Sequence, residues 1–377
     1  MANSTALIVT HAGAPFRLES INRTPLQARE VLVRLKATGV CHTDNAVRTG
    51  KLPGAFPLVL GHEGAGVVEE VGSAVKSVKI GDHVLLSYAF CRTCGTCKQG
   101  KPYACVEMER RNFSCSRPDG SCPLQWEGLD VHGCFFGQSS FANPAIVQES
   151  SCVPVDPSLP LEILAPLGCG IQTGSGTVFN IIKPVENDTR SLVVFGLGGV
   201  GCAAIMAASY LAKQNPGVLD VIIAVDLKAE RLELARQLGA THSINGQEHQ
   251  SDLIEEIRRI TGGVGADAAV DCTGALSIIN DMIVALAPCG RAVTVGAPPL
   301  TSKMSIEVFP FINGCKSYRG SHQGDSVARK FLPFLADLYQ KGEFPIDQME
   351  RSYPVGAVNE AVQDMLDGKV IKPVLIW

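Results

Sequence analysis

The chain of 377 residues lacks any excess of basic charge: 33 Lys and Arg stand against 37 Asp and Glu, a formal net charge of −4. Nucleic acids and anionic membranes favour basic patches, so neither is expected as a partner. No secretory leader is expected either, because MANSTALIVTHAGAPF has no basic n-region and only a brief apolar stretch. No internal repeat or low-complexity tract occurs. Charged residues make up only 19% and hydrophobic residues 46%, which excludes a disordered chain. One charge-free run, 192–212, is about long enough to cross a bilayer. Its glycines cluster near the start, so it reads better as a strand, a glycine turn and a buried helix.

Cysteine, by contrast, is plentiful, at fourteen residues. Disulfide scaffolds are usually short and secreted. These cysteines are therefore read as reduced thiols in a cytoplasmic protein, some of them metal ligands. A length of 377 residues suggests about two domains at ~150 residues each. The first half carries short β-like runs such as REVLVRLKATGV, GAGVVEEVG and KIGDHVLLSY among many glycines and prolines, and predicts an irregular, mostly β domain. From about residue 190, apolar strands alternate with amphipathic helices: SLVVF, GCAAIMAASYLAK, LDVIIAVD, KAERLELARQL. The second helix of that series should stop at Gly239. Such alternation implies a doubly wound parallel sheet, an α/β fold.

The sharpest motif is Gly196-Leu197-Gly198-Gly199-Val200-Gly201, between a predicted strand and a predicted helix. In that context Gly196 permits the tight turn, Gly198 lets the backbone approach a pyrophosphate, and Gly201 lets the helix pack against the strand. The helix N-terminus then offers N–H groups to phosphate. Asp226 ends the next strand, 25 residues after Gly201. An acid there accepts ribose hydroxyls and repels a 2′-phosphate, which favours NAD over NADP. Lys228 and Arg231 follow closely and blunt that preference.

Two metal signals accompany it. Cys91, Cys94, Cys97 and Cys105 follow C-x2-C-x2-C-x7-C. Four thiolates suit a closed tetrahedral zinc that staples a lobe with no core of its own. An iron–sulfur cluster is the alternative, but its bacterial form continues x3-C-Pro, and uncoordinated thiols are the bland one. The second signal is scattered: Cys41-His42-Thr43-Asp44, then His62-Glu63, then Cys169. Two thiolates and an imidazole leave one position of a tetrahedral zinc open. Each of these residues alone also reads as an ordinary buried side chain.

Taken together, GVCHTD, GHEGAGVVEEVG, the four-cysteine lobe, GLGGVG and IKPVLIW resemble the medium-chain zinc-dependent alcohol dehydrogenases nearly end to end. FFGQSSFA and APLGCGIQTGSGTVFN are most similar to its aryl- or benzyl-alcohol branch. The resemblance implies a GroES-like catalytic domain over 1–171 and 317–377, with a zinc lobe at 91–105, and a Rossmann NAD-binding domain over 172–316. It implies a catalytic zinc on Cys41, His62 and Cys169, and a structural zinc on the other four cysteines, hence two zincs per chain. Glu63 would sit behind the metal, Asp44 would fix the His62 tautomer, and Thr43 would take the alcohol proton. His42 and Lys372 match positions at the cofactor pyrophosphate. Thr173 matches a nicotinamide neighbour, and Val295, Gly296 and Ala297 the strand end at the carboxamide.

Ala46 replaces a relay histidine of several relatives, and Ser87 replaces a pocket aromatic. Leu52, Phe135 and Phe136 would supply apolar walls. The expected reaction is hydride exchange between a primary, aromatic or allylic alcohol/aldehyde pair and NAD. Reduction of a specialised carbonyl, iminium or conjugated alkene is the alternative. Relatives of this kind associate through the edge of the cofactor-domain sheet, so a homodimer or homotetramer is expected.

Overall fold

The computed structural model describes residues 2–377. The chain divides into two compact units. One runs to Cys169 and takes in Val327–Asp337 and Ile346–Trp377. The other comprises Gly170–Ser326 and Leu338–Pro345.

The second unit is the expected doubly wound sheet. Its strands are β1 (Ser191–Phe195), β2 (Val221–Asp226), β3 (His242–Asn245), β4 (Ala266–Asp271), β5 (Leu286–Thr294) and β6 (Ser317–Gly320). They lie in the order β3-β2-β1-β4-β5-β6, all parallel, the dinucleotide-binding arrangement. Every residue of β1 is buried, as parallel strands covered on both faces must be. The charge-free run resolves into β1 and the helix Gly199–Gln214. Among the described residues no helix is long and apolar enough to cross a membrane. The helix Ala229–Gln237 closes with Leu238 as its cap, and Gly239 follows at φ +113°, the left-handed turn its sequence called for.

The boundary expected at 316/317 falls short of the observed one. β6 hydrogen-bonds to β5, so the sheet keeps the chain in this unit to Ser326. The mixed composition of this segment hid a sixth strand. Likewise the first boundary lies at 169/170 rather than 171/172.

The first unit is built on two sheets. The larger places strands in the order Cys152–Val155, His83–Leu86, Gly64–Val71, Glu30–Gly39, Lys372–Ile376, Glu350–Pro354. Val31, Val33, Leu35, Val68, Val84 and Leu86 fill its core, with Val147 from a further strand. Two buried polar clusters fasten the long segments. Arg117 and Glu30 form a two-pronged ion pair at 2.8 Å, tying the 106–134 segment to the sheet. Glu149, 2% exposed, accepts from the Lys76 and Ser77 amides at 2.8 and 3.0 Å and from Arg92 at 2.7 Å. Arg92 lies in the cysteine lobe, so Glu149 anchors that lobe to the body.

Burial pushes the Glu149 carboxyl up, but the Lys76 amide, the Ser77 hydroxyl and Arg92 outweigh it and hold it down at about 2. A carboxyl held lower in the folded chain than in the unfolded one contributes stability above its ordinary value and loses it as pH falls. Glu149→Ala should therefore cost about 1–3 kcal/mol in denaturant unfolding at neutral pH, the usual penalty for orphaned buried donors. The gap to the parent protein should close as pH is lowered through the window from about 4.5 to about 2. A gap that persists at the acid end would remove the charge from the explanation.

Candidate active site

The helix His42–Arg48 is the first positioning device. Cys41 caps it, and Asp44, three residues on, reaches back: its Oδ2 accepts from the Cys41 amide at 3.0 Å. The other oxygen, Oδ1, accepts from the Gly61 amide at 3.0 Å and lies 3.0 Å from His62 Nδ1. One fully buried carboxylate thus fixes two segments together and orients the ring. Gly61 has φ +87°, and a Cβ there would fall 2.4 Å from the Phe141 ring, so only glycine serves.

The strands Glu30–Gly39 and Lys372–Ile376 supply the second device. Val374 pairs with Gly39, the Gly39 amide donates to the Glu63 carbonyl at 2.9 Å, and the Val40 amide donates to Pro373. The result sets the Lys372 ammonium 2.9 Å from both Glu63 oxygens and 3.3 Å from the Val40 carbonyl. Lys372 is 4% exposed and Glu63 fully buried. Burial alone would discharge both groups. Burial pushes Glu63 up in spite of Lys372, while Lys372 is raised, its pairing with Glu63 outweighing burial.

These devices bring one ligand atom each from Cys41, His62, Glu63 and Cys169 within 4.8 Å of one another. With Nδ1 turned to Asp44, the buried Nε2 of His62 has no hydrogen-bond partner. A buried unpaired nitrogen facing two sulfurs is the signature of a ligand position. The donor set, soft sulfur plus imidazole, fits zinc. Cys41 is held well below its ordinary value, chiefly by a hydrogen bond from Cys169 that overcomes burial, with His62 assisting. Cys169 is raised by the same bond and by burial. Thr43 Oγ1 stands 3.7 Å from the Cys41 sulfur.

The second cluster is equally well formed. One ligand atom each from Cys91, Cys94, Cys97 and Cys105 lies within 4.8 Å of the others. The Thr93 and Cys94 amides donate to the Cys91 sulfur at 3.4 and 3.2 Å, and the Cys91 amide to Cys105 at 3.4 Å. Amides aimed at sulfur stabilise thiolates. Cys115, Cys122 and Cys134 are free thiols outside both clusters.

In the second unit the glycine loop follows β1, and Gly198 caps the helix that starts at Gly199. Gly196 has φ +85°, and a Cβ on Gly201 would sit 1.9 Å from the Gly196 carbonyl. Asp226 Oδ2 accepts from the Leu197 amide at 2.7 Å and Oδ1 from the Lys228 amide at 3.0 Å. Arg231 lies 3.7 Å from the same carboxylate. Val295 and Gly296 follow β5, their amides donating to the Asp271 carbonyl at 2.9 and 3.1 Å. Ala297 is exposed, and Thr173, 9% exposed, lies in the helix Gly170–Gly176.

Several expected residues make contacts that their spacing did not announce. Phe136 stacks on His62, centroids 4.5 Å apart, and Phe135 meets the same ring edge-on at 5.3 Å. Both are at most 3% exposed, so their rings back the ligand histidine. Ser87 is 1% exposed, and its hydroxyl donates to the Gly168 carbonyl at 2.8 Å. It braces the residue before Cys169. Leu52 is half-buried and His42 exposed. Lys372, expected at a phosphate, is engaged with Glu63.

Two contributors escaped the sequence. Gln138 is fully buried; its amide nitrogen donates to the His62 and Ser87 carbonyls, and its oxygen accepts from the Gly64 amide. Its neighbours Cys134, Phe136 and Ser139 all have positive φ, at 61°, 53° and 44°, a strain that persists only where surroundings over-determine it. Glu350 is the register partner of Lys372, and burial pushes its carboxyl up to about 9. No spacing rule links either Gln138 or Glu350 to the cysteines.

Comparison with known proteins agrees with this geometry. Residues 27–157 match the alcohol dehydrogenase GroES-like domain and 199–337 the zinc-binding dehydrogenase domain. The chain is 36% identical over 376 residues to a geraniol dehydrogenase of Castellaniella defragrans, covering 100% of this chain and 98% of that protein. The chain belongs to the medium-chain zinc-dependent alcohol dehydrogenases. A benzyl alcohol dehydrogenase structure from Acinetobacter calcoaceticus superposes with TM-score 0.92 at 39% identity, covering 100% of this chain and 99% of that one. An alcohol dehydrogenase zinc-binding domain protein from Burkholderia ambifaria reaches 0.93 at 42% identity with the same coverage.

Asp44→Asn should leave the fold intact but loosen the His62 tautomer. Zinc affinity at that centre should fall about 10–100-fold, the usual effect of losing a partner behind a ligand. Competition with a chromophoric chelator reads this, with the four-cysteine site as the internal control. Unchanged affinity would show that Asp44 only caps its helix.

Proposed function

We propose that this alcohol dehydrogenase holds two zincs and moves hydride reversibly between a primary, aromatic or allylic alcohol and NAD. The observation that carries the metal assignment is the unpartnered, buried Nε2 of His62 among the sulfurs of Cys41 and Cys169. Cys91, Cys94, Cys97 and Cys105 would hold the second ion. When bound, a zinc with an open position supplies Lewis acidity toward an alcohol or carbonyl oxygen. When bound, the nicotinamide cofactor supplies the hydride acceptor.

The chain's own residues do the rest. Asp44 holds the His62 ring in one tautomer. Thr43, beside Cys41, offers the hydroxyl through which an alcohol proton can leave. At the position three residues on, Ala46 has no group to continue a relay, so the proton leaves Thr43 by water or another group. Lys372 meets both oxygens of Glu63 and holds that carboxyl in place within the donor set. The amides at the start of the helix Gly199–Gln214 would bind pyrophosphate, and Asp226 the ribose hydroxyls.

The substrate class rests on relatives named for geraniol and benzyl alcohol, both primary alcohols beside an unsaturated carbon. A cytoplasmic setting is supported by fourteen free cysteines. Self-association is supported by the open edge of β6, next to exposed Val308, Phe309 and Ile312.

Turnover of benzyl and cinnamyl alcohols with NAD, with metal measured on the same sample, tests the whole reading. Two zincs with activity is the expected result; a chain with zinc that oxidises neither alcohol overturns the substrate class. Asp226→Ala should shift cofactor preference toward NADP, read as the ratio of kcat/KM for the two cofactors. An unchanged ratio would remove Asp226 from cofactor choice.

A further inference from the structure

Asp271 ends β4, the strand beside β1, and is fully buried. A carboxylate out of water must be supplied with donors. Its Oδ1 accepts from the Thr273 amide at 2.8 Å, the Thr273 hydroxyl at 2.6 Å and the Gly274 amide at 3.2 Å, and Oδ2 lies 3.3 Å from the same Gly274 amide. An aspartate bonded to the backbone two residues on fixes the turn that follows it. The Thr273 hydroxyl also accepts from the Ala275 amide at 3.0 Å, so the turn is carried into the helix Leu276–Val284. The Asp271 carbonyl holds the end of β5, accepting from the Val295 and Gly296 amides at 2.9 and 3.1 Å. These two loops and the glycine turn fit without spare room. A Cβ on Gly196 would fall 2.7 Å from Thr273 Cγ2, one on Gly274 2.8 Å from the Ala297 carbonyl carbon, and one on Gly296 2.2 Å from the Gly274 nitrogen. Residues 196, 273–274 and 296–297 thus form one continuous row at the carboxyl ends of β1, β4 and β5, the end at which such a sheet receives its ligand. An apolar side chain at 271 would fill the same space but would not dictate the turn.

We propose that Asp271 is a positioning residue for the nicotinamide cofactor, fixing the 272–274 turn and the 295–297 segment against the glycine loop before the cofactor arrives. The assignment rests on the cofactor reading above. Asp271 is fully buried, so it acts through those loops and not by contact. Binding energy that would otherwise go into ordering the loops is kept as affinity. Loss of the carboxylate therefore weakens the cofactor complex, while both cysteine-bearing clusters, which belong to the other unit, keep their geometry.

The test titrates the metal-loaded protein with NADH and reads the fluorescence of the bound cofactor. Asp271→Asn keeps the shape but gives up one acceptor, and its Kd should rise about tenfold, the scale of one charge-assisted hydrogen bond. Thr273→Val, at an exposed position, removes the hydroxyl donor and should raise Kd about threefold, the scale of a weaker bond. Thr273→Ser keeps the hydroxyl and should match the parent protein. Metal content should not change, and kcat at saturating NAD should not fall. A folded Asp271→Asn, judged by its thermal midpoint, that binds NADH as the parent does overturns the assignment. So does a parent-like Thr273→Val, which decides the matter if Asp271→Asn does not fold. Equal losses in Thr273→Ser and Thr273→Val also overturn it, since the methyl group and not the hydrogen bond would then matter. A parent protein that binds no NADH overturns the cofactor reading itself, and this assignment with it.

Discussion

The structure around the metal-ligand cluster depends on one constraint: several charged groups share a dry space and must compensate one another. Taking a carboxylate and an ammonium out of water costs several kcal/mol each unless the pairing is close and complete. Lys372 meets both oxygens of Glu63 at 2.9 Å, and Asp44 satisfies two amides and an imidazole nitrogen. Only His62 Nε2 is left without a partner in that arrangement. The contacts of Asp44, Glu63 and Lys372 are thus met within the chain, and the His62 nitrogen is left for a cation.

Glycine is how the backbone comes close enough to do this. A Cβ on Gly39 would fall 2.0 Å from Glu63 Oε2, and one on Gly168 would fall 1.9 Å from the Leu86 carbonyl. Gly39 is therefore small because the Glu63 side chain fills the space beside it, and Gly168 because the strand His83–Leu86 passes directly behind it. Strain is held in the same place. The positive-φ run through Cys134, Phe136 and Ser139 is locked by the Ser139 hydroxyl, which donates to Val59 and accepts from the Phe135 amide. That lock presents Phe136 to His62 and Gln138 to the His62 carbonyl and the Gly64 amide beyond it.

What the sequence disclosed divides along physical lines. Period, caps and glycine turns act over a few residues, so β1, the glycine loop, Asp226 and the Gly239 stop could all be read before any coordinates. The four-cysteine lobe was legible for the same reason. The other donor set was legible only through resemblance, since Cys41, His62 and Cys169 meet through sheet register and not through spacing. Gln138 and Glu350 stayed hidden because a buried polar side chain announces nothing until its partners are known. The packing of Phe135 and Phe136 on His62 could not be read from spacing, because apolar residues near a site read equally as pocket wall or as ligand backing. β6 was missed because an edge strand exposed on most of its residues lacks the apolar run of a buried one.

The two cysteine-bearing clusters reach their geometry by opposite routes. The helix Gly95–Lys98 in the lobe buries none of its residues, and the lobe is held by sulfur contacts, amides to sulfur and the Arg92–Glu149 pair. Hydrophobic burial cannot keep such a segment ordered, so a metal there would be the largest cohesive term available to it. The Cys41, His62 and Cys169 cluster hangs instead on sheet hydrogen bonds, buried ion pairs and a strand core that exist whether or not a cation is bound. Its ligands are preorganised, and the energy of binding a cation need not be diverted into folding. A catalytic metal held there would need that division: one site closed by four sulfurs to hold shape, and one built rigid by the protein so that a position could stay open.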